Sequence, residues 1–267
     1  MNVPIEVFFD IDGCLINERY EFTEPIEKVI EKSRQCSDMK LHLNSNRSLQ
    51  SMLKKWDELR FNGFLVYENG LGIYDPSTRE DHSIGTPIDR EHLKRILLKM
   101  SDEVSFVSTD ELVRTPERFQ SDKEREIYCE ESRIFTATVY PRLIVDRVPT
   151  PDIMFLDEVR KRLVKEYGDK YDIPEFDGKS YFNILMNPRD ALKSNPMRGL
   201  AGENRIASFG DNITDIEMFK KSDKGMIGCP ANAVDDVKYF VVENNGFVAD
   251  KEYTQGAIDF LDYLREK

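Results

Sequence analysis

Val7-Phe8-Phe9-Asp10-Ile11-Asp12-Gly13-Cys14-Leu15 is an apolar run that ends in two carboxylates one residue apart. Ile5 and Val7 are β-branched, Phe8 and Phe9 are aromatic, the run is short and Gly13 breaks it, so the stretch is predicted to be a buried strand. The two-residue period of a strand sends Asp10 and Asp12 to the same side. Two ionised carboxylates that close repel, and holding both charged costs free energy unless a cation or a shared proton relieves it. The pair needs a partner.

Working outward, Ile26, Val29 and Ile30 among charges predict an amphipathic helix over 25–36, with Thr23 as its N-cap. A strand follows over 39–43 and ends in the polar turn Asn44-Ser45-Asn46-Arg47-Ser48. Leu49, Leu53, Trp56 and Leu59 then have helical spacing. Strand, helix, strand, helix predicts a right-handed parallel α/β unit. A strand over 64–67 continues it, and Glu68-Asn69-Gly70 reads as a hairpin turn.

Near residue 85 the style changes. A helix over 89–100, a strand over 104–108, a charged loop covering 117–131, a strand over 133–140, a proline-bracketed turn at Pro149 and Pro151, a helix over 151–167 and a strand over 181–186 predict an inserted α+β unit. The parallel rhythm resumes after Asn187-Pro188-Arg189-Asp190. It brings a helix near Pro196, a strand over 205–209, a helix from Thr214, strands over 225–227 and 239–242, and a final helix carrying Ile258, Phe260, Leu261 and Leu264. The predicted fold class is therefore α/β, a parallel-sheet core of residues 1–85 and 188–267 with an α+β insertion of residues 86–187.

The chain has 267 residues, 40% of them hydrophobic, and a formal net charge of −12. That length buries a full core. The charge, with no cluster of Lys and Arg, argues against nucleic acid or an anionic membrane as partner and leaves a small molecule or a protein. Cys14, Cys36, Cys129 and Cys229 are far apart with no Cys-x-x-Cys pair, so neither a zinc site nor a disulfide framework is suggested. No apolar run approaches the roughly 20 residues of a membrane span. A cytoplasmic protein, monomeric or homodimeric, is expected.

A second acidic knot, Phe209-Gly210-Asp211-Asn212-Ile213-Thr214-Asp215, again stands where a strand gives way to a helix. Parallel strands present their C-terminal ends along one edge, where ligands bind in open α/β sheets. Asp10, Asp12, Ser45, Asp211 and Asp215 would share that edge. So many acids need a hard cation, and oxygen ligands with no nearby histidine or thiolate select Mg²⁺ over zinc; Mg²⁺ keeps positions free for phosphate oxygens.

With these residues in place the chain resembles the haloacid dehalogenase superfamily. Asp10-Ile11-Asp12-Gly13 resembles its first motif, Ser45 its second, Lys193 in Asp190-Ala191-Leu192-Lys193 its third, and Gly210 to Asp215 its fourth. Asn69-Gly70 and Asn232-Ala233 resemble landmarks of the Cof-like branch, which inserts an α/β cap between motifs two and three. Cys14 replaces the usual Thr, Ser45-Asn46-Arg47 stands where Thr-Gly-Arg is common, and Arg189 or Arg198 competes with Lys193 for the third motif.

The resemblance implies a Rossmann-like core and a Mg²⁺-dependent phosphatase acting on a small phosphorylated metabolite, such as a sugar phosphate. Asp10 would be the nucleophile that forms an aspartyl-phosphate, and Asp12 the acid and base. Ser45 and Lys193 would stabilise the transferring phosphoryl group. The metal shell would be the Asp10 carboxylate, the Asp12 carbonyl and Asp211, with Asp215 direct or through water. Asn46, Arg47 and Asn232 are candidates for substrate contact, although Arg47 could instead sit on a helix start and Asn232 could structure its loop. The alternatives are a phosphotransferase or mutase on the same fold and a catalytically idle binding protein.

Overall fold

The computed structural model describes residues 4–35, 38–175 and 182–267; Cys36 and Tyr181, which entered the sequence-based expectations, lie outside them. The chain forms two compact units, Met1–Ile84 with Ala191–Lys267, and Gly85–Asp190. The boundaries fall at the end of the hairpin and at Asp190, where the chain changes style.

In chain order the first unit begins β1 (Ile5–Phe9), α1 (Ile26–Gln35), β2 (Met39–Asn44), α2 (Leu49–Leu59), β3 (Leu65–Tyr67), β4 (Gly72–Asp75) and β5 (Glu80–Asp81). The second unit holds α3 (Arg90–Leu97), β6 (Glu103–Val107), α4 (Thr109–Arg114), β7 (Arg125–Glu130), β8 (Ala137–Val145), β9 (Val148–Pro151), α5 (Ile153–Tyr167), β10 (Tyr171–Asp172) and β11 (Ile184–Pro188). The first unit is completed by α6 (Met197–Ala201), β12 (Arg205–Phe209), α7 (Ile216–Phe219), β13 (Ile227–Cys229), α8 (Asp235–Glu243), β14 (Phe247–Val248) and α9 (Tyr253–Arg265).

Among the described residues the first unit has an eight-stranded sheet of order β14-β13-β12-β1-β2-β3-β4-β5. The strands from β14 to β3 are parallel and the β3–β4–β5 meander is antiparallel. β1 lies in the middle, which explains why Val7, Phe8 and Phe9 are apolar in succession, since a strand covered on both faces has no solvent side to alternate toward. Phe8 packs with Met197, Ile206 and Met218. Phe9, pointing the other way, meets Phe209 and Phe260 at ring separations of 5.9 and 6.3 Å.

Among the described residues the second unit has a six-stranded sheet in which β6 and β7 are parallel and the other pairings antiparallel. Leu93, Ile96 and Leu97 of α3 and Phe155, Leu156, Val159 and Leu163 of α5 bury one face of it. Asp89 and Asp152 cap these helices by accepting the N–H of His92 and Phe155.

Four expectations need correction. The charged loop predicted over 117–131 contains β7, whose Ile127 and Cys129 enter the core; the surrounding Glu and Arg residues mask that two-residue alternation. The turn predicted at Pro149 and Pro151 is β9, an edge strand paired only to β8, where proline is tolerated. Val241 and Val242, predicted as strand with Tyr239, belong to α8: Val237 and Val241 are buried one turn apart, and the true strand is the short β14. α1 begins at Ile26, so Thr23, expected as its N-cap, stands three residues ahead of it, where its N–H donates to Thr254 Oγ1 at 3.0 Å.

Candidate active site

β1, β12 and β2 are aligned so that Phe9 pairs with Phe209 on one side and Leu43 on the other. Each strand therefore releases its polar successor at the same edge: Asp10 from β1, Gly210-Asp211 from β12 and Asn44-Ser45 from β2. The alignment runs one residue past the strand, because the Asp10 N–H still donates to Phe209 O at 3.0 Å.

Lys193 stands between two of the carboxylates. Its Nζ lies 2.8 Å from Asp10 Oδ1 and 2.7 Å from Asp215 Oδ1, and all three residues are buried. The Asn44 amide donates to Lys193 O at 2.8 Å and holds the segment against β2. Arg189, by contrast, donates to Gly168 O, and Arg198 approaches Gly202 O and Asn204 O. Of the three basic residues weighed for the third motif, Lys193 is the one that reaches the acids.

Asp215 spends both oxygens inside the protein. Oδ1 accepts from Lys193, and Oδ2 accepts the backbone N–H groups of Asp211 and Asn212, each at 3.0 Å. That capping box turns the chain after β12 and aims Asp211. Among the described residues, ligand atoms of Asp10, Cys14 and Asp211 lie within 4.8 Å of one another. Cys14, not expected to face an ion, thus enters the cluster, while Asp215, expected in the metal shell directly or through water, has both oxygens engaged by Lys193 and by the Asp211 and Asn212 N–H groups.

Gly13 makes this cluster possible. Its φ is +78°, a conformation other residues rarely adopt, and a Cβ there would stand 2.6 Å from Asp211 Cγ. Ile16 closes the turn through bonds to Ile11 and Gly13, which leaves the Asp12 carbonyl outside that bridge. Asn232 holds the turn from the other side: its amide donates to Gly13 O at 2.8 Å and its oxygen accepts the Tyr253 N–H at 2.9 Å. Both amide groups of Asn232 are thereby engaged with backbone.

Asp12 is partly exposed and is gripped by Arg47, with Nε to Oδ2 at 2.8 Å and Nη2 to Oδ1 at 2.7 Å. Arg47 is itself steadied by Ser51 Oγ, 2.8 Å from Nη1, and by the Tyr20 ring at 5.3 Å. Neither support was foreseen, although Arg47 and Ser51 have the four-residue spacing of helical neighbours. Ser45 is buried, and its Oγ accepts the Arg47 N–H at 3.3 Å; Asn46 lies beside it, half-buried.

The electrostatics follow from this crowding. Burial is the largest influence on Asp10 and, with Asp215, Asp211 and Asp12, pushes its carboxyl well above the usual range despite Lys193. Burial and then Asp215 push Asp211 up to about 6. Burial disfavours the Lys193 charge, yet Asp10 and Asp215 outweigh it and hold the ammonium more firmly protonated. Four carboxylates (Asp10, Asp12, Asp211, Asp215) face two cations (Lys193, Arg47), so these six side chains carry two surplus negative charges when ionised. One divalent cation balances that, and the carboxylate oxygens suit Mg²⁺.

A parallel-sheet core with converging acids at its carboxyl edge, a buried lysine between them and an α+β insertion defines a haloacid dehalogenase-type hydrolase. The sequence matches the haloacid dehalogenase-like hydrolase family over residues 7–258, and the chain belongs to that family. Its fold is shared by a haloacid dehalogenase-like hydrolase from Bacteroides thetaiotaomicron (TM-score 0.71, 17% identity, covering 98% of this chain and 99% of that one). It is shared also by Thermoplasma acidophilum 0175 (TM-score 0.67, 17% identity, both chains covered in full) and by a HAD/COF-like hydrolase from Plasmodium vivax (TM-score 0.61, 14% identity, covering 99% and 96%). Comparison with curated proteins gives no match. Among the described residues no helix is long and apolar enough to cross a membrane.

Proposed function

We propose that this hydrolase is a Mg²⁺-dependent phosphatase that cleaves a small phosphorylated metabolite, such as a sugar phosphate, through a phosphoryl group carried on Asp10. The observation that supports this most is the placement of Lys193 between Asp10 and Asp215, with Asp211 within ligand distance of Asp10.

In this reading Asp10 attacks phosphorus with the oxygen that Lys193 does not hold. Its negative charge is what an in-line nucleophile needs; burial opposes that charge, while Lys193 and a bound divalent cation would favour it. Lys193 and the Ser45 hydroxyl stabilise the equatorial oxygens as charge shifts onto them. Asp12 protonates the departing alkoxide and then takes a proton from the water that frees Asp10, with Arg47 fixing its orientation. Asp10, the Asp12 carbonyl and Asp211 would hold Mg²⁺, with Asp215 behind them as organiser. When bound, the ion neutralises the surplus charge and lets an anionic substrate approach. The unit of residues 85–190, inserted between Ser45 and Lys193, carries the residues that choose the substrate, and the protein works in the cytoplasm.

The test is phosphate release from a panel of phosphorylated metabolites, with Mg²⁺ and with excess chelator. Phosphate release that depends on Mg²⁺ is expected. Conversion of a hexose phosphate into an isomer with no phosphate released would identify a mutase instead, and equal rates in chelator would refute the metal requirement.

A further inference from the structure

The thiol of Cys14 is the one cluster member that a Mg²⁺ site does not need. It is fully buried, its Sγ donates to Asp211 Oδ1 at 3.4 Å, and it shares a 4.8 Å neighbourhood with Asp10 and Asp211 oxygens. For a cation with a sulfur ligand at about 2.3 Å and an oxygen ligand at about 2.1 Å, the two ligand atoms stand roughly 3.1 Å apart at an octahedral edge and roughly 3.6 Å apart at a tetrahedral one. The Sγ–Oδ1 separation falls between these. Sulfur and oxygen are therefore already spaced to share an ion.

We propose that Cys14 makes this centre a binding site for thiophilic divalent cations, Zn²⁺ and Cd²⁺, at the position where Asp10 and Asp211 hold Mg²⁺. Hard Mg²⁺ ignores a thiol, whereas a soft cation gains a thiolate bond. The exchange is redox-neutral: the S–H bond breaks, the metal–sulfur bond forms and the proton passes to solvent. Zn²⁺ would then compete with Mg²⁺ and block the centre. This rests on the reading of Asp10 and Asp211 as ligands of a divalent cation.

The experiment titrates Cd²⁺ into the full-length protein and records the thiolate-to-cadmium charge-transfer absorption, with circular dichroism as the check on folding. One equivalent of Cd²⁺ should give the band, excess Mg²⁺ should suppress it, and Cys129→Ser and Cys229→Ser should keep it. Cys14→Ser and Cys14→Thr should lose the band, with Cd²⁺ affinity down by about tenfold or more. Persistence of the band in both folded Cys14 variants, or its indifference to Mg²⁺, would overturn the proposal. Mg²⁺-dependent phosphatase activity without any band overturns this proposal alone; a Mg²⁺-suppressible band in a protein that cleaves no phosphoester overturns the phosphatase reading alone.

Discussion

Arg47 holds Asp12 by two parallel hydrogen bonds of 2.8 and 2.7 Å, the fork of the guanidinium matching the two carboxylate oxygens. Ser51 and Tyr20 fix Arg47 in turn. The candidate acid and base is thus oriented before any substrate arrives. A lysine could supply charge here but not a two-pronged grip. Arg47→Lys should lower kcat on an aryl phosphate by about ten- to a hundredfold, the cost of a misplaced proton donor, with a smaller change in KM. Steady-state kinetics checks this, and a rise in KM alone would make Arg47 a substrate ligand.

Gly13→Ala should be damaging out of proportion to its size. The left-handed backbone costs about 1–3 kcal/mol, and the added methyl collides with the Asp211 carboxylate. Mg²⁺ binding followed by calorimetry should weaken along with thermal stability. Gly199→Ala is the control. That glycine lies in α6 with nothing within 4 Å of a Cβ, so alanine should raise stability by about 0.5–1 kcal/mol and leave Mg²⁺ binding unchanged.

Stability should fall in acid through a pair remote from the proposed chemistry. The Phe64 N–H donates to His42 Nδ1 at 3.0 Å, so the ring hydrogen is on Nε2, which donates to Glu6 Oε2 at 2.6 Å. Asn204 donates to the other Glu6 oxygen at 2.7 Å. Burial holds His42 below its ordinary 6.5, with Lys40 adding to it and Glu6 opposing. Burial raises Glu6, but His42 and Asn204 outweigh it and hold the carboxyl below its ordinary 4.5. Both groups bind fewer protons folded than unfolded. Their contribution is therefore present above 6.5 for His42 and above 4.5 for Glu6, and is lost as pH falls through each lowered folded value. Urea midpoints should drop below pH 6.5 and more steeply below 4.5. Glu6→Gln should cost about 1–3 kcal/mol at neutral pH by leaving a buried partner unmatched, and should flatten the acid slope.

The convergence of Asp10, Ser45 and Asp211 was legible in the sequence because three short strands, each with an apolar last stretch such as Phe8-Phe9, Leu43 or Phe209, break into polar residues at the same end. Parallel connectivity then puts those ends on one edge. The role of Cys14 was not legible: its sulfur meets Asp211 across 197 residues of chain, and a cysteine after a glycine gives no hint of that. Arg47 had two readings, and only packing shows that Asp12 is its partner. In the fold, misreadings fell where local pattern and tertiary role conflict. Tyr239 and Val242 look like strand but lie exposed on a helix, and Ile127 and Cys129 look like loop but fill a core.

Rapid quenching of a Mg²⁺ turnover followed by peptide mass spectrometry asks whether Asp10 carries the phosphoryl group. A phosphoryl adduct is expected on the peptide containing Asp10 in the wild-type protein, and neither adduct nor turnover in a folded Asp10→Asn variant. A phosphoryl group on another residue, or an Asp10→Asn variant that turns over at the wild-type rate, would contradict it.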